Sequence, residues 1–144
     1  MDDVAGILEA KGSEVLRIEG SATVLDAVKR MVESNVGSLL VTEEGKLVGI
    51  VTERDYLRRV TLEDRDENET PVREIMTTPL VYVTPDTSID ECMAVMTERR
   101  IRHLPVLTEG RKVAGIVSIG DVVKYRASRQ TAQIRLLTDY ITSA

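Results

Sequence analysis

The chain has 144 residues, of which 42% are hydrophobic, and its formal net charge is −5. This length accommodates one ordinary domain, or two half-domains that share a core, but not two independent domains of ordinary size. The acidic charge excludes a general nucleic-acid binder, because neutralising phosphates requires a basic face. One cysteine and one histidine exclude an internal disulfide and a zinc site made of several thiolates and imidazoles.

Two features of the sequence bear on where the protein works. No apolar run approaches the ~20 residues that a membrane span needs. The amino-terminal sequence MDDV lacks the basic flank of a signal peptide. We therefore expect a soluble, cytoplasmic protein with no membrane partner.

The first half of the chain predicts a strand, a helix, two strands joined by a hairpin, and a second helix. An apolar run at 15–18 predicts the first strand, and apolar residues at helical spacing predict the helix after it. These residues are Val24, Ala27, Val28, Met31 and Val32. The runs SLLV and LVGIV then predict two strands, with Gly45 at the position that a tight hairpin turn favours.

The second half repeats this plan at an offset of 65 residues, which becomes 66 after one extra residue in the hairpin turn. Met31 thus aligns with Met96, and Asp55 aligns with Asp121. The helix stripe of this half contains Ile89, Cys92, Met93 and Met96. An acidic segment, LEDRDENETP at 62–71, predicts an exposed linker. Because a half of about 60 residues buries too little surface to be stable alone, we expect an α+β fold in which the two halves pack their sheets together.

Two related sequences stand where a strand runs into a helix: GIVTERD, which begins at Gly49, and GIVSIGD, which begins at Gly115. The simpler interpretation is a capping box, in which Thr52 caps a helix and Asp55 suits the positive end of the helix dipole. The functional interpretation uses the same atoms, because a helix amino terminus offers amides to a phosphate and a carboxylate accepts hydrogen bonds from a ribose diol. The two interpretations are compatible. The glycines would permit a close approach of a ligand or of a facing strand.

The duplicated pattern resembles a tandem CBS domain pair, or Bateman module. The resemblance rests on hydrophobic-P-V on the second strand, E-G-x-x-x-G-I-V through the hairpin and G-x-x-[TS]-x-x-D at the strand-to-helix turn, and it covers about residues 6–127. It implies two β-α-β-β-α repeats, 6–61 and 72–127, packed as a pseudo-twofold pair, with the 62–71 linker between them and a C-terminal helix at 128–144. It also implies an adenosine-containing ligand, AMP, ADP or ATP, in a cleft between the repeats, and no required cofactor.

The resemblance carries the candidate ligand-binding residues onto both repeats. It places the ribose on the aspartate of each G-x-x-[TS]-x-x-D motif and the phosphates near basic side chains. The candidates are Thr84, Arg102, His103, Leu104, Pro105, Ser118 and Asp121 in the second half, and Thr52, Arg54 and Asp55 in the first half. Arg102 is not assigned to one cleft, because adjacent repeats of this family lend residues to each other's clefts. Arg54 is a second candidate for the phosphate.

The two clefts are not equally suited to a phosphate. Basic residues are densest at 99–103, although a solvated helix end also explains such a run. In the first half, Glu19 would repel a phosphate, and Leu40 stands where the family has proline. We therefore expect the cleft that holds Ser118 and Asp121 to bind best.

Two other classes of function are considered beside a nucleotide sensor. An enzyme would need a nucleophile with a base, paired carboxylates in a cleft, or a metal site. Cys92 and His103 suggest a thiol dyad, but Cys92 lies on an apolar helix stripe and is better explained as a core residue. We therefore expect no catalytic and no metal-binding residues. The remaining alternative is a ligand-free dimerisation or interaction module that regulates a partner protein.

Helices predicted at both ends of the chain bear on assembly. The stripe of the first, at 2–10, contains Val4, Ile7 and Leu8, and the stripe of the last, at 127–144, contains Ile134, Leu137 and Ile141. A helix outside the repeat plan must bury its stripe on its own sheet or on another subunit. We expect a homodimer, because the module typically forms symmetric pairs. The two repeats use nearly the whole chain, so the controlled partner would be a separate effector protein.

Overall fold

The computed structural model describes residues 2–143, except for the side chains of residues 132–134 and 137–143. Within this range the chain forms five α-helices and five strands, and the predicted α+β class is confirmed. In chain order they are α1 (Val4–Lys11), β1 (Arg17–Glu19), α2 (Val24–Ser34), β2 (Ser38–Glu43), β3 (Lys46–Thr52), α3 (Glu53–Tyr56), α4 (Ile89–Arg99), β4 (His103–Thr108), β5 (Lys112–Ser118) and α5 (Ile119–Ser143). A π-helical turn spans Leu57–Thr61, and 3₁₀ turns span Val72–Glu74 and Glu109–Arg111.

The chain divides into two units, and the amino-terminal helix lies in the unit of the second repeat. The repeat-1 unit is Glu14–Tyr82 and contains β1, α2, β2, β3 and α3. The repeat-2 unit consists of the described parts of Met1–Ser13 and Val83–Ala144, and contains α1, α4, β4, β5 and α5. Each repeat is thus completed by a leading segment, which is α1 in the repeat-2 unit and residues 72–82 in the repeat-1 unit.

The sheet of the repeat-1 unit has the strand order β1-β2-β3. Strand β1 runs parallel to β2, and β2 runs antiparallel to β3. Glu44 and Gly45 have φ values of 52° and 76°, which is the backbone that a two-residue hairpin turn requires and that glycine adopts without strain. The antiparallel register pairs Ser38 with Thr52, so the start of β2 lies beside the strand-to-helix turn.

Helix α2 begins with a capping box between Thr23 and Asp26, which satisfies amides that the first helical turn leaves unpaired. The buried residues of its predicted stripe are Val24, Ala27 and Met31. Val32, which the sequence places on the same stripe, is 75% exposed. It lies about 100° around the helix from residue 31 and so falls outside the buried face.

The core of the repeat-1 unit combines residues of α2 and the sheet with residues that follow α3. It consists of Ile18, Val24, Ala27, Met31, Leu39, Val41, Val51, Val60, Val72 and Ile75. Val72 and Ile75 are fully buried, and a buried aliphatic side chain contributes roughly 1.5–3 kcal/mol. These two side chains therefore anchor the leading segment 72–82 on this unit.

The segment predicted as a linker, 62–71, is hydrogen-bonded to the repeat-1 unit. The Val24 amide donates to the Thr70 carbonyl at 2.9 Å, and the Tyr56 hydroxyl donates to the Glu67 carboxylate at 2.6 Å. Most of the segment is exposed, but Thr70 is buried. Its carboxyl end is therefore fixed where the core-forming Val72 follows.

The sheet of the repeat-2 unit has two strands, β4 and β5, which are antiparallel. The strand predicted at the start of this repeat is reduced to Val83, which forms a parallel bridge to Val106. The Val83 amide donates to the Pro105 carbonyl at 3.0 Å, and the Val83 carbonyl accepts from the Leu107 amide at 2.9 Å. A longer strand does not form because Pro85 has no amide hydrogen to donate to a ladder.

Helix α4 is capped by Ser88 and buries Ile89, Cys92 and Met96. Cys92 is therefore a core residue, as its position on the apolar stripe predicts. Burial raises the pKa of its thiol, which keeps it in the unreactive protonated form.

Helix α5 runs without interruption from Ile119 to Ser143. The helix predicted after the second repeat is thus the continuation of the helix that follows β5. Its predicted stripe of Ile134, Leu137 and Ile141 lies outside the described side chains. Among the residues described, no helix combines the length and the apolar character needed to cross a bilayer.

Candidate functional site

Each candidate site is built where the second strand of a hairpin runs into a helix. In the repeat-1 unit, β3 ends at Thr52 and α3 begins at Glu53. The Asp55 amide donates to the Thr52 hydroxyl at 3.2 Å, and the Thr52 amide donates to Asp55 Oδ2 at 3.0 Å. The capping box that the sequence predicts at this turn is therefore present.

The carboxylate of Asp55 is buried and bonded through both oxygens within its own unit. The Thr52 hydroxyl also donates to Oδ2, at 3.2 Å. The Thr77 hydroxyl donates to Oδ1 at 3.0 Å, and Asp55 is only 9% exposed. A ribose hydroxyl would have to displace Thr77 in order to reach this carboxylate.

The repeat-2 unit forms the same turn between β5 and α5. The Ser118 amide donates to Asp121 Oδ2 at 2.8 Å, and the Asp121 amide donates to the Ser118 hydroxyl at 3.1 Å. The Asp121 side chain is 23% exposed. Its surface is therefore partly accessible to a ligand hydroxyl.

A lysine from the amino-terminal helix completes this second site. Lys11, the last residue of α1, places Nζ 2.6 Å from Asp121 Oδ2 and 2.8 Å from the Ile116 carbonyl oxygen. Partial burial acts to raise the pKa of Asp121, but the hydrogen bond and charge of Lys11, with the hydrogen bonds from Ser118, lower it below its ordinary value of 3.8. Asp121 is therefore a carboxylate at neutral pH.

The sequence pattern does not identify Lys11 as part of a site. Helix α1 precedes the first strand of the repeat plan, and its apolar stripe does not show on which half it packs. The repeat does not identify it either, because the offset of 65 residues that holds before the hairpin aligns Lys11 with Met76 and not with Thr77.

Four of the predicted site residues lie at the start of β4 or immediately before it. Arg102 is exposed, and its carbonyl accepts from the first amide of α5, that of Ile119, at 2.9 Å. The strand register pairs His103 with Ser118 and Leu104 with Val117. Leu104 and Pro105 are buried. The structure therefore brings Arg102 and His103 to the same end of the hairpin as Ser118 and Asp121.

Thr84 lies elsewhere in the repeat-2 unit. It follows Val83, which forms a bridge to Val106. Thr84 therefore lies beside the second half of β4 and not beside His103. Its amide and its hydroxyl bond the Thr87 hydroxyl at 3.1 and 3.2 Å, and its hydroxyl also donates to Asp86. Within this unit, Thr84 is thus engaged in the turn before α4 and is not grouped with Asp121.

Arg54 lies in the first turn of α3, beside Asp55, and is exposed. The structure therefore groups Thr52, Arg54 and Asp55 at one turn, as the motif requires. Among the residues that the structure describes, no cluster of three or more His, Cys, Asp or Glu side chains could hold a metal ion.

Comparisons with family models, curated proteins and solved structures all indicate the same family. A family model described as the CBS domain matches residues 11–62 and 72–128. The chain is 39% identical over 147 residues to the CBS domain-containing protein CBSX3, mitochondrial, of Arabidopsis thaliana, and the match covers 96% of this chain and 71% of that protein.

Solved structures show the same likeness. A protein with CBS domains from Burkholderia ambifaria MC40-6 is 49% identical with a TM-score of 0.85, over 89% of this chain and 96% of that chain. The CBS domain pair of protein MJ0100, solved in complex with 5′-methylthioadenosine and S-adenosyl-L-methionine, is 25% identical with a TM-score of 0.77, over 90% of this chain and 98% of that chain. Two matched repeats, two equivalent strand-to-helix turns and these relatives lead to one conclusion: the chain belongs to the CBS domain family and carries a pair of CBS repeats.

Proposed function

We propose that this CBS pair is a regulatory module that binds an adenosine-containing ligand, AMP, ADP or ATP, with the ribose on Asp121. The observation that carries the proposal is the state of this carboxylate. It is ionised, it is held in a fixed orientation by the Ser118 amide, and part of its surface is accessible. A ribose diol supplies the two hydroxyl donors that such an acceptor favours.

The surroundings of Asp121 support a ligand that carries phosphate. The turn stands at the amino terminus of α5, where the helix dipole favours negative charge. Lys11 contacts the carboxylate directly, and Arg102 is tied to the same helix start through its carbonyl. The adenosine-derived ligands of the MJ0100 pair support the adenosine part of the proposal.

The Asp55 turn is proposed as the weaker site. Its carboxylate is buried, and both oxygens are bonded by Thr52 and Thr77. A ligand there must break the Thr77 hydrogen bond before it gains its own. This cost supports the order of the two sites expected from the sequence, with Asp121 first.

We infer that the role of binding is regulatory and not catalytic. The side chains at both turns are capping groups and carboxylates, and Cys92 is an inert core thiol. A ligand that binds one conformation of the module better than another shifts the population toward it. An effector protein that reads this conformation would transmit the signal.

The test is thermal melting and calorimetric titration with AMP, ATP, adenosine and S-adenosylmethionine. A ligand at one hundred times its dissociation constant adds about 2.7 kcal/mol, so we expect the melting temperature to rise by about 5–10 °C. Asp121→Asn keeps a side chain that can cap α5 but removes the charge, and it should abolish this shift. The matched control is Asp90→Asn, which removes one exposed carboxylate of α4 in the same unit.

Two results would contradict the proposal. One is the lack of any shift with the four compounds in the wild-type protein. The other is full-strength binding by the folded Asp121→Asn protein, which would move the site away from this turn.

A second candidate function is a dimerisation module that needs no ligand. A groove of about 380 Å³ in the repeat-1 unit supports it, because the exposed apolar side chains of Val32, Val36 and Leu57 line the groove. A protein that dimerises through this groove and shows no ligand-induced melting shift would favour this candidate.

A further inference from the structure

Each of the two site carboxylates receives a side chain from a leading segment. Asp121 is bonded by Lys11 of α1, and Asp55 is bonded by Thr77 of segment 72–82. The two donors differ in charge, since one is an ammonium group and the other a neutral hydroxyl.

The two donors contact equivalent groups, although they are not aligned residues of the repeat. Lys11 also donates to the carbonyl of Ile116, and the backbone of Thr77 pairs with that of Ile50. Ile50 and Ile116 are related by the same 66-residue offset that relates the two aspartates. The repeats therefore place different chemistry at the same point of the same turn.

This difference changes the local charge of the two turns. At the second turn, Lys11 neutralises Asp121, and the two helix residues before the aspartate, Ile119 and Gly120, are uncharged. At the first turn, Thr77 is neutral and brings no positive charge to Asp55. Lys11 therefore makes the second turn more favourable to a phosphate than the equivalent contact makes the first turn.

The geometry of Lys11 also leaves a donor for a ligand. An ammonium group has three N–H donors. Two of them are directed at Ile116 O and Asp121 Oδ2. Asp121 Oδ2 also accepts from Ser118, so ligand hydroxyls are directed to Oδ1. Because the Lys11 side chain is 36% exposed, its third N–H would be available to a ligand that Asp121 holds by its ribose.

We propose that Lys11 is the residue that determines the ligand class of the Asp121 turn, favouring an anionic adenosine nucleotide such as AMP over uncharged adenosine and over cationic S-adenosylmethionine. This inference rests on the proposed binding of adenosine ligands at Asp121. It adds a selecting residue that lies outside the repeated motif.

The test compares AMP with adenosine by isothermal titration calorimetry in four proteins: wild type, Lys11→Met, Lys11→Arg and Lys112→Met. Loss of one charge-assisted hydrogen bond should weaken AMP binding by Lys11→Met at least about tenfold. Adenosine affinity should change by less than about threefold, since adenosine carries no charge to be neutralised. Lys11→Arg should retain most of the preference for AMP. Lys112→Met removes an exposed lysine of β5 in the same unit and should behave as wild type.

Salt provides a second readout that a structural effect would not move. AMP affinity should fall with ionic strength in the wild type and depend on it much less in Lys11→Met, because screening acts on the removed charge.

The outcomes separate this inference from the proposed function. If wild type binds both ligands and Lys11→Met weakens or strengthens both equally, Lys11 does not select and the inference is overturned, while the proposed function stands. If Lys112→Met loses as much of the preference for AMP over adenosine as Lys11→Met does, the preference comes from the net charge of the protein and not from Lys11. If wild type binds neither ligand, the proposed function fails and this inference fails with it.

Discussion

At the scale of single residues, two equivalent glycines are approached by different parts of the chain. A Cβ atom on Gly49 would lie 2.8 Å from the backbone oxygen of Thr77, whereas one on Gly115 would lie 2.6 Å from the Cδ2 of Leu8. The close approach expected from the motif is therefore made, in both units, by the leading segment. Backbone cannot move aside without disturbing its own hydrogen bonds, while the end of a leucine side chain can change rotamer.

This difference predicts unequal costs for two formally identical substitutions. Gly49→Ala should lower the free energy of unfolding by about 1–3 kcal/mol, because overpacking against a backbone carbonyl shifts the Thr77 segment. Gly115→Ala should cost less than about 1 kcal/mol, since Leu8 can adjust. Urea denaturation of both variants measures the two values. Equal costs, or a larger cost at Gly115, would contradict this account.

The ion pair between Lys11 and Asp121 should make part of the stability depend on pH. The pKa of Asp121 is lowered in the folded protein, so the unfolded chain binds this proton more tightly. The contribution is therefore complete above the ordinary value of 3.8 and is lost as the pH falls through the lower folded pKa. Because Lys11 is 36% exposed, the pair is worth no more than about 1 kcal/mol.

The measurement is the difference in unfolding free energy between wild type and Lys11→Met, from urea titrations at pH 7, 5, 4 and 3. We expect a constant difference from pH 7 to 5 that shrinks below pH 4. The same series with Lys112→Met should show no such change. A Lys11→Met difference that stays constant down to pH 3 would show that the lysine acts by packing its methylenes and not by its charge.

At the scale of elements, the parts that the sequence predicts are those fixed by local pattern. The stripe of Val24, Ala27 and Met31, the hairpin at Gly45 and the capping boxes depend on residues a few positions apart. Periodicity and turn chemistry are sufficient to predict these features.

The parts that the sequence does not predict depend on contacts between distant segments. Helix α1 has a recognisable stripe, but its position in the repeat-2 unit follows from contacts such as that of the Val4 amide with the Thr87 carbonyl, at 2.9 Å. A helix stripe specifies that a face is buried and not what covers it. The contact between Lys11 and Asp121 depends on this packing, so the sequence does not predict it. The Asp121 turn itself is recognisable from its motif.

The reduced first strand of repeat 2 has a similar cause. Its apolar run matches that of repeat 1, but Pro85 follows Val83 closely and limits pairing to one bridge. The two repeats thus share a pattern and differ in how much regular structure the pattern forms.

At the scale of the whole molecule, three exposed apolar side chains line one groove of the repeat-1 unit. Val32 is 75% exposed and Leu57 is 56% exposed, and both line the groove of about 380 Å³ between α2 and the start of the π-helical turn. Val36 and Tyr56 line the same groove, and the polar side chains of Asn35 and Glu53 also border it. Contiguous apolar surface of this kind marks interaction sites on soluble proteins, so we infer that the groove is where the expected homodimer forms.

The dimer prediction is tested by analytical ultracentrifugation of wild type, Val32→Glu, Leu57→Glu and Leu62→Glu. A glutamate in the groove would have to be desolvated on association, which costs several kcal/mol, so the first two variants should weaken dimerisation by at least about a hundredfold. Leu62 is 80% exposed but does not line the groove, so Leu62→Glu controls for an added charge and should dimerise as wild type. If the wild type is monomeric at all accessible concentrations, the homodimer prediction is wrong. If all three variants weaken dimerisation equally, the interface does not lie at the groove. Neither groove variant changes a residue of the Asp121 turn, so both should keep wild-type AMP affinity. Loss of that affinity on dissociation would show that the ligand site is complete only in the dimer.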